Sequence, residues 1–161
     1  MSIRQTGPMY EATEAVVRSA RPEDAGRLVE LLDHGSLVPG KEDLGDLTPY
    51  LAALLEITDS AGDLLVAEVD GKVVGVCQLI VFRHFQSKGG LCAELESMHV
   101  HPDWRGEGIG RQLLKAAVDR ARQLGCYRLQ LTSNNERPDA HRFYESMGFH
   151  ASHRGFKLLL D

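Results

Sequence analysis

The pattern of apolar residues predicts an α/β fold, a mixed sheet with helices on both faces. Two β-prone runs, Leu64 to Val69 and Lys72 to Phe82, flank Asp70-Gly71 as a hairpin. Farther on, Ile109 to Leu124 repeats its apolar residues at helical spacing between two strand-like runs, and a shorter helical stretch, Ala140 to Met147, does the same. A hairpin requires antiparallel pairing, and helices that cross between strands bring in parallel pairing, so the sheet is mixed. A chain of 161 residues suits one domain with a sizeable core. Residues 1–14 show no periodicity and are expected to be a flexible leader to a single domain over 15–161.

Taken in order, Ala15 to Arg18 reads as a first strand, and Pro22-Glu23-Asp24 opens a helix with residue types suited to a first turn. Leu28, Leu31 and Leu32 form its apolar stripe. A loop rich in Gly, Pro and acid runs from Gly35 to Asp46, and Thr48-Pro49 starts a second helix through Leu51, Leu54 and Leu55. The hairpin follows, then a polar loop from Arg83 to Gly90 and a fourth strand from Leu91 to Val100. That strand changes phase: Leu91, Ala93 and Leu95 are apolar at odd positions, Met98 and Val100 at even ones. A strand cannot switch faces without an inserted residue, so a β-bulge is predicted between Glu96 and Met98.

Ile109, Leu113, Ala116, Ala117, Ala121 and Leu124 mark the long helix, which Gly125 stops. Tyr127 to Thr132 reads as the fifth strand. Pro138 suits a first helical position ahead of Ala140, Phe143, Tyr144 and Met147, and Gly148 ends that helix. Phe149 to Ser152 and Phe156 to Leu160 are expected to close the sheet as two short strands.

Composition narrows the class. Hydrophobic residues at 43% and charged residues at 25% are those of a folded globular chain. A net charge of -5 disfavours nucleic acid as a partner and mildly favours a cationic substrate. Cys77, Cys92 and Cys126 are odd in number and lie in or beside apolar runs, as reduced packing residues do. No apolar run is long enough to span a bilayer and the first residues lack a signal-peptide core, so a cytoplasmic location without a membrane partner is expected.

The stretch from Met98 to Arg111 carries the chemistry. It leaves a strand, turns at Pro102, crosses a loop with Gly106, Gly108 and Gly110, and opens into the long helix. A helix N-terminus reached through glycines presents unpaired backbone N-H groups and the positive end of the macrodipole, which together bind anions. Arg105 adds a positive charge at the mouth. A Walker loop would need Lys-Ser/Thr after its last glycine, where Arg111-Gln112 stands, and the G-x-G-x-x-G spacing of a dinucleotide site is also missing.

Arg105, Gly108 and Gly110 supply Arg-x-x-Gly-x-Gly instead, and Ala140, Tyr144, Gly148 and Phe149 supply A-x-x-x-Y-x-x-x-G-F. With these two motifs the sequence resembles the GNAT superfamily of acetyl-CoA-dependent N-acetyltransferases. The resemblance implies a mostly antiparallel sheet of six or seven strands in which the fourth and fifth are parallel, splayed by the bulge. It implies acetyl-CoA as co-substrate, with the pyrophosphate held by Arg105, Gly106, Glu107, Gly108, Ile109, Gly110 and Arg111. The pantetheine arm would run along Met98, His99 and Val100. It assigns Tyr144 to the family's general acid and cofactor contact, a tyrosine that periodicity alone reads as part of the helix's apolar stripe. The asparagine common just before the family's last helix is Arg137 here, which leaves Asn135 as the candidate cofactor contact.

Acetyl transfer to an amine also needs a proton acceptor. Glu94 and Glu96 share one face of the fourth strand and are the candidate catalytic bases, acting through water, although the same carboxylates read equally as solvated strand charges. His99 and His101 lack partners at zinc-site spacing, and no metal is expected. The segment from Arg137 to His153 is similar to small-molecule amine acetyltransferases of the aminoalkylphosphonate type, so the expected acceptor is a small primary amine acetylated in a ternary complex. Two rival functions stand beside it: a protein Lys or N-terminal acetyltransferase, which needs an open peptide groove, and a non-catalytic acyl-CoA-binding module, which has no use for Tyr144. The resemblance also makes a homodimer an expectation.

Overall fold

The computed structural model describes residues 12–38 and 40–160. Residues 1–11 of the expected leader lie outside the described residues. Those next to them touch the body: Thr13 N-H donates to the Glu107 carbonyl at 3.2 Å, and the Gln112 side chain donates to the Thr13 carbonyl at 2.7 Å.

Five strands form one sheet in chain order: β1 Val16–Ser19, β2 Asp63–Val69, β3 Lys72–Arg83, β4 Leu91–Val100 and β5 Cys126–Leu131. The first four are antiparallel neighbours and β5 runs parallel to β4. The β2–β3 hairpin turns through Asp70 and Gly71, both at positive φ, as a two-residue turn between right-twisted strands requires.

Helices α1 Ala25–Gly35 and α2 Thr48–Thr58 cover one face, and α4 Ile109–Gln123 covers the other; α3 Gln86–Gly89 is a single turn between β3 and β4. The core therefore has two halves. Leu65, Ala67, Cys77, Leu79, Ala93 and Leu95 pack against Ile109, Leu113 and Leu114 of α4. Val66, Val73 and Val76 pack against Leu28, Leu31 and Leu54 of α1 and α2. In β2 these are the two alternating sets of a strand buried on both sides, and in β3 a register shift opposite Ala67 and Glu68 brings Val73 onto the same face as Val76. Leu55, expected in the stripe of α2, is 61% exposed because α2 meets the sheet mainly through Leu54.

A part-buried ion network fixes the start of α1. Arg18 on β1 donates to Asp24 at 2.7 Å and to Glu68 at 2.7 Å, while Asp24 also accepts from the Arg21 N-H. The Arg18 guanidinium holds the Asp24 carboxyl below its ordinary range. Anchored there, α1 delivers its last residue, Gly35, to β4.

The two closing strands are corrected by the structure. Phe149 to Ser152 and Phe156 to Leu160 join no ladder, and the sheet has five strands among the described residues. Gly148 at φ 90 turns the chain out of α5 (Pro138–Ser146), and Phe149 then bonds back to Tyr144 rather than to a strand. Strand-like composition makes a strand only where a partner edge receives it, and Phe156 and Leu158 to Leu160 stand in solvent.

Candidate active site

The predicted bulge is present and opens the site. Gln78 of β3 pairs with Glu96 and Val76 with His99, so Cys77 alone faces Ser97 and Met98. Ser97 is the extra residue, at φ 50. On the other side, parallel pairing of β4 with β5 stops at Leu95 and Leu131. Beyond that point β4 has a partner on one edge only, and its Met98 to Val100 edge borders a gap. The Val100 carbonyl accepts from Arg105 Nε at 3.0 Å, so the Arg105 side chain ties the loop to the strand as well as lending charge.

The loop reaches α4 through a 3-10 turn, Pro102–Trp104. Gly106 and Gly108 have φ of 85 and 81, and nothing lies within 4 Å of where a Cβ on Gly106 would be. No side chain caps α4, whose first intrahelical bond runs from Gln112 N-H to the Gly108 carbonyl at 3.2 Å. Among the described residues, the backbone N-H groups of Ile109, Gly110 and Arg111 have no carbonyl partner in the loop. Ile109, 1% exposed, anchors the helix end in the core. Glu107 turns its carboxylate to the Thr13 hydroxyl at 3.0 Å. A cradle of undonated N-H groups with an open glycine and two exposed arginines, Arg105 and Arg111, fits a diphosphate.

The inner end of the gap gathers residues from distant parts of the chain. Tyr144 on α5 packs edge-on against Phe143 and Phe149, with ring centroids at 5.2 and 5.8 Å, and its hydroxyl makes no hydrogen bond among the described residues. Cys77, Arg137 and Glu96 are its charged or ionisable neighbours. Glu94 accepts from Gln130 at 2.8 Å across the parallel pair, whereas the half-buried Glu96 carboxylate has no such partner among the described residues. His99 lies against Gly35, where any Cβ would collide with its ring, and Arg137 donates to the Gly35 carbonyl. Asn135 is exposed and removed from these contacts, while Asn134 caps the turn by accepting from the Glu136 N-H at 2.9 Å.

Sequence reasoning missed the grouping of Gly35, His99 and Arg137. The one available signal was Arg137 standing where the resembled family carries asparagine. Two shallow surface depressions, beside Leu55 to Asp59 and between Arg18 and Asp119, share no residue with the loop or the gap. Among the described residues no three His, Cys, Asp or Glu side chains gather as a metal site.

Residues 26–149 match the acetyltransferase (GNAT) family. The chain belongs to that family. It is 32% identical over 148 residues to an aminoglycoside N(6')-acetyltransferase type 1 from Stenotrophomonas maltophilia, covering 89% of this chain and 91% of that one. It is 39% identical over 91 residues to an aminoalkylphosphonate N-acetyltransferase from Salmonella typhimurium, covering 56% of this chain and 58% of that one. A solved structure described as a transcriptional regulator from Bacillus halodurans C-125 superimposes with a TM-score of 0.86 at 34% identity, covering 91% of this chain and all of that one.

As a GNAT acetyltransferase the protein uses acetyl-CoA, which supplies the activated acetyl thioester. The electrostatics of the gap bear on proton transfer. Burial first, then Cys77, push the Tyr144 hydroxyl up to about 12, against a downward pull from Arg137 and with a smaller upward push from Glu96. Tyr144 is therefore a protonated phenol throughout the working range. The kcat/KM profile is expected to rise as the amine deprotonates and to show no descending limb from Tyr144 below about pH 10. A wild-type limb near neutral pH that vanishes in Tyr144→Phe would contradict this. Burial, with Arg137 and Arg105, lowers His99 to about 4, partly countered by Glu42, so its imidazole is neutral at pH 7. Its folded pKa is depressed, so it contributes stability above the ordinary histidine range that is lost as pH falls toward 4.

Proposed function

We propose that this chain transfers the acetyl group of acetyl-CoA to the primary amine of a small molecule by direct attack in a ternary complex. The observation that carries this reading is the gap between β4 and β5, with an N-H cradle at one end and, at the other, the Tyr144 hydroxyl and a Glu96 carboxylate without a hydrogen-bond partner among the described residues. Residues Arg105 to Arg111 hold the diphosphate, and the free edge of Met98, His99 and Val100 receives the pantetheine amides. Tyr144 donates its proton to the departing thiolate sulfur. Glu96, through a water, accepts the proton of an ammonium whose ordinary pKa is near 10.4.

Glu94 is assigned a positioning role, because Gln130 already occupies its carboxylate. Glu96→Gln is accordingly expected to lower kcat/KM about 10- to 100-fold and to move the acidic limb of the pH profile, while Glu94→Gln does much less. Equal, small effects from both variants would remove the assignment.

The acceptor class follows from which charge lies nearest the reaction centre. Asp43 and Asp46 accept from the Gly45 and Thr48 N-H groups, and Arg83 donates to the Gly89 carbonyl, so both outer loops use their charges locally. Arg137 stands nearest the reaction centre, and it favours an amine that also bears an anionic group, as in the aminoalkylphosphonate relative. Mass spectrometry of products from parallel incubations with aminoalkylphosphonates, aminoglycosides and short peptides tests this. Acetylated aminoalkylphosphonate is the expected product, and exclusive acetylation of peptides would overturn the reading. The domain is taken as 15–161 and its location as the cytoplasm, where three unpaired thiols stay reduced.

A further inference from the structure

The anion loop contains a residue whose charge has the wrong sign for its task. Between Arg105 and Arg111, Glu107 is the one acid. It directly precedes Gly108, the N-cap of α4, and a helix N-terminus attracts a carboxylate as it attracts a phosphate. A free Glu107 side chain would therefore compete with a diphosphate for the N-H groups of Ile109, Gly110 and Arg111. Among the described residues no arginine, lysine or histidine pairs with Glu107. Its direction is set by something else.

The segment before β1 supplies the restraint. Thr13 Oγ1 donates to Glu107 Oε2 at 3.0 Å, and the Thr13 N-H donates to the Glu107 carbonyl at 3.2 Å, so one residue holds both the side chain and the backbone of the acid. Gln112 holds Thr13 in turn. Its side-chain amide donates to the Thr13 carbonyl at 2.7 Å and accepts from the Ala15 N-H at 3.0 Å, while its own N-H makes the first intrahelical bond of α4, to Gly108. These contacts join residues 94 to 99 apart in the sequence, and every one ends on the loop or on the first turn of the helix behind it. The approach is close as well: Ala12 Cβ lies 3.2 Å from where a Cβ on Gly108 would be.

We propose that residues 12–15 form a strap on the cofactor loop, and that Thr13 is a positioning residue for acetyl-CoA binding, its hydroxyl holding the Glu107 carboxylate away from the N-H groups that receive the diphosphate. The proposal rests on the reading that Arg105 to Arg111 hold that diphosphate. The three bonds that involve the strap's backbone would suffice to tie down the start of the described chain. The hydroxyl bond does more, because its acceptor is the one group in the loop that repels the ligand. It is part-buried and its acceptor is a carboxylate, and hydrogen bonds to charged groups are stronger than those between neutral ones. Gln112 acts at one remove, by fixing the strap to the helix.

The test uses the full chain, with acetyl-CoA affinity read by calorimetry. Thr13→Val keeps the shape of the side chain and removes the donor, and it is expected to weaken acetyl-CoA binding about 5- to 30-fold. Thr13→Ser keeps the donor and should bind as the wild type does. The decisive arm is rescue: adding Glu107→Gln to Thr13→Val should restore affinity, because the competing charge is gone. The ratio of Thr13→Val to wild-type affinity should also approach one as salt rises from about 50 mM to about 500 mM, which a purely structural clasp would not produce. Wild-type affinity in Thr13→Val, or a loss that neither Glu107→Gln nor salt relieves, would overturn the proposal. Gly108→Glu separates it from the reading beneath it. Loss of binding there beside wild-type affinity in Thr13→Val would strike the strap alone, and unchanged affinity in both would strike the loop as the diphosphate site.

Discussion

Gly108→Glu is expected to lower acetyl-CoA affinity by about 100-fold or more while leaving the fold intact. The substitution sets a carboxylate at the N-terminus of α4, among the N-H groups that receive the diphosphate. Placing like charges together costs several kcal/mol, and about 2.7 kcal/mol is already 100-fold. The backbone adds a smaller effect, because Gly108 sits at φ 81, where a side chain introduces about 1–2 kcal/mol of strain. Gly108→Asn separates the two, since asparagine tolerates the left-handed region and caps helices well. Calorimetry should find the Asn variant near wild type and the Glu variant without measurable binding. Equal affinity in all three proteins would mean that the loop does not hold the cofactor.

Tyr144→Phe is expected to reduce kcat by about 100- to 1,000-fold, the range for loss of a positioned general acid, with the KM for acetyl-CoA nearly unchanged. The split is informative. Phenylalanine keeps the ring contacts with Phe143 and Phe149, and the hydroxyl it removes has no hydrogen-bond partner among the described residues, so thermal stability should hold within a few degrees. A drop in kcat without a drop in melting temperature assigns a chemical role. Wild-type turnover in Tyr144→Phe would leave this side chain as packing, which is all that the helix's periodicity by itself supports.

Much of this architecture was legible because local signals and the fold agree. The phase change between Leu95 and Met98 foretold the bulge, and Ser97 at φ 50 is its physical form. Asp70-Gly71 fixed the hairpin, and the apolar stripe from Ile109 to Ala121 fixed the helix that begins at the anion loop. The misses share a different cause. Phe156 to Leu160 has the composition of a strand, but a ladder needs a second edge, and no property of the segment itself states where that edge is. Arg137 and Gly35 meet across 102 residues of sequence, so the closure of the site around His99 is a tertiary event with no local signature. The same limit applies to Glu94 and Glu96. Their common face was readable from strand alternation, yet only the position of Gln130 on β5 tells them apart.

The most direct test of the central claim is the release of free CoA thiol from acetyl-CoA by the wild-type chain, followed with and without an aminoalkylphosphonate. Slow release alone is expected, with a saturable, amine-dependent acceleration that disappears in Gly108→Glu and falls steeply in Tyr144→Phe. Tight acetyl-CoA binding with no acceleration by any primary amine would contradict it and leave an acyl-CoA-binding module in its place.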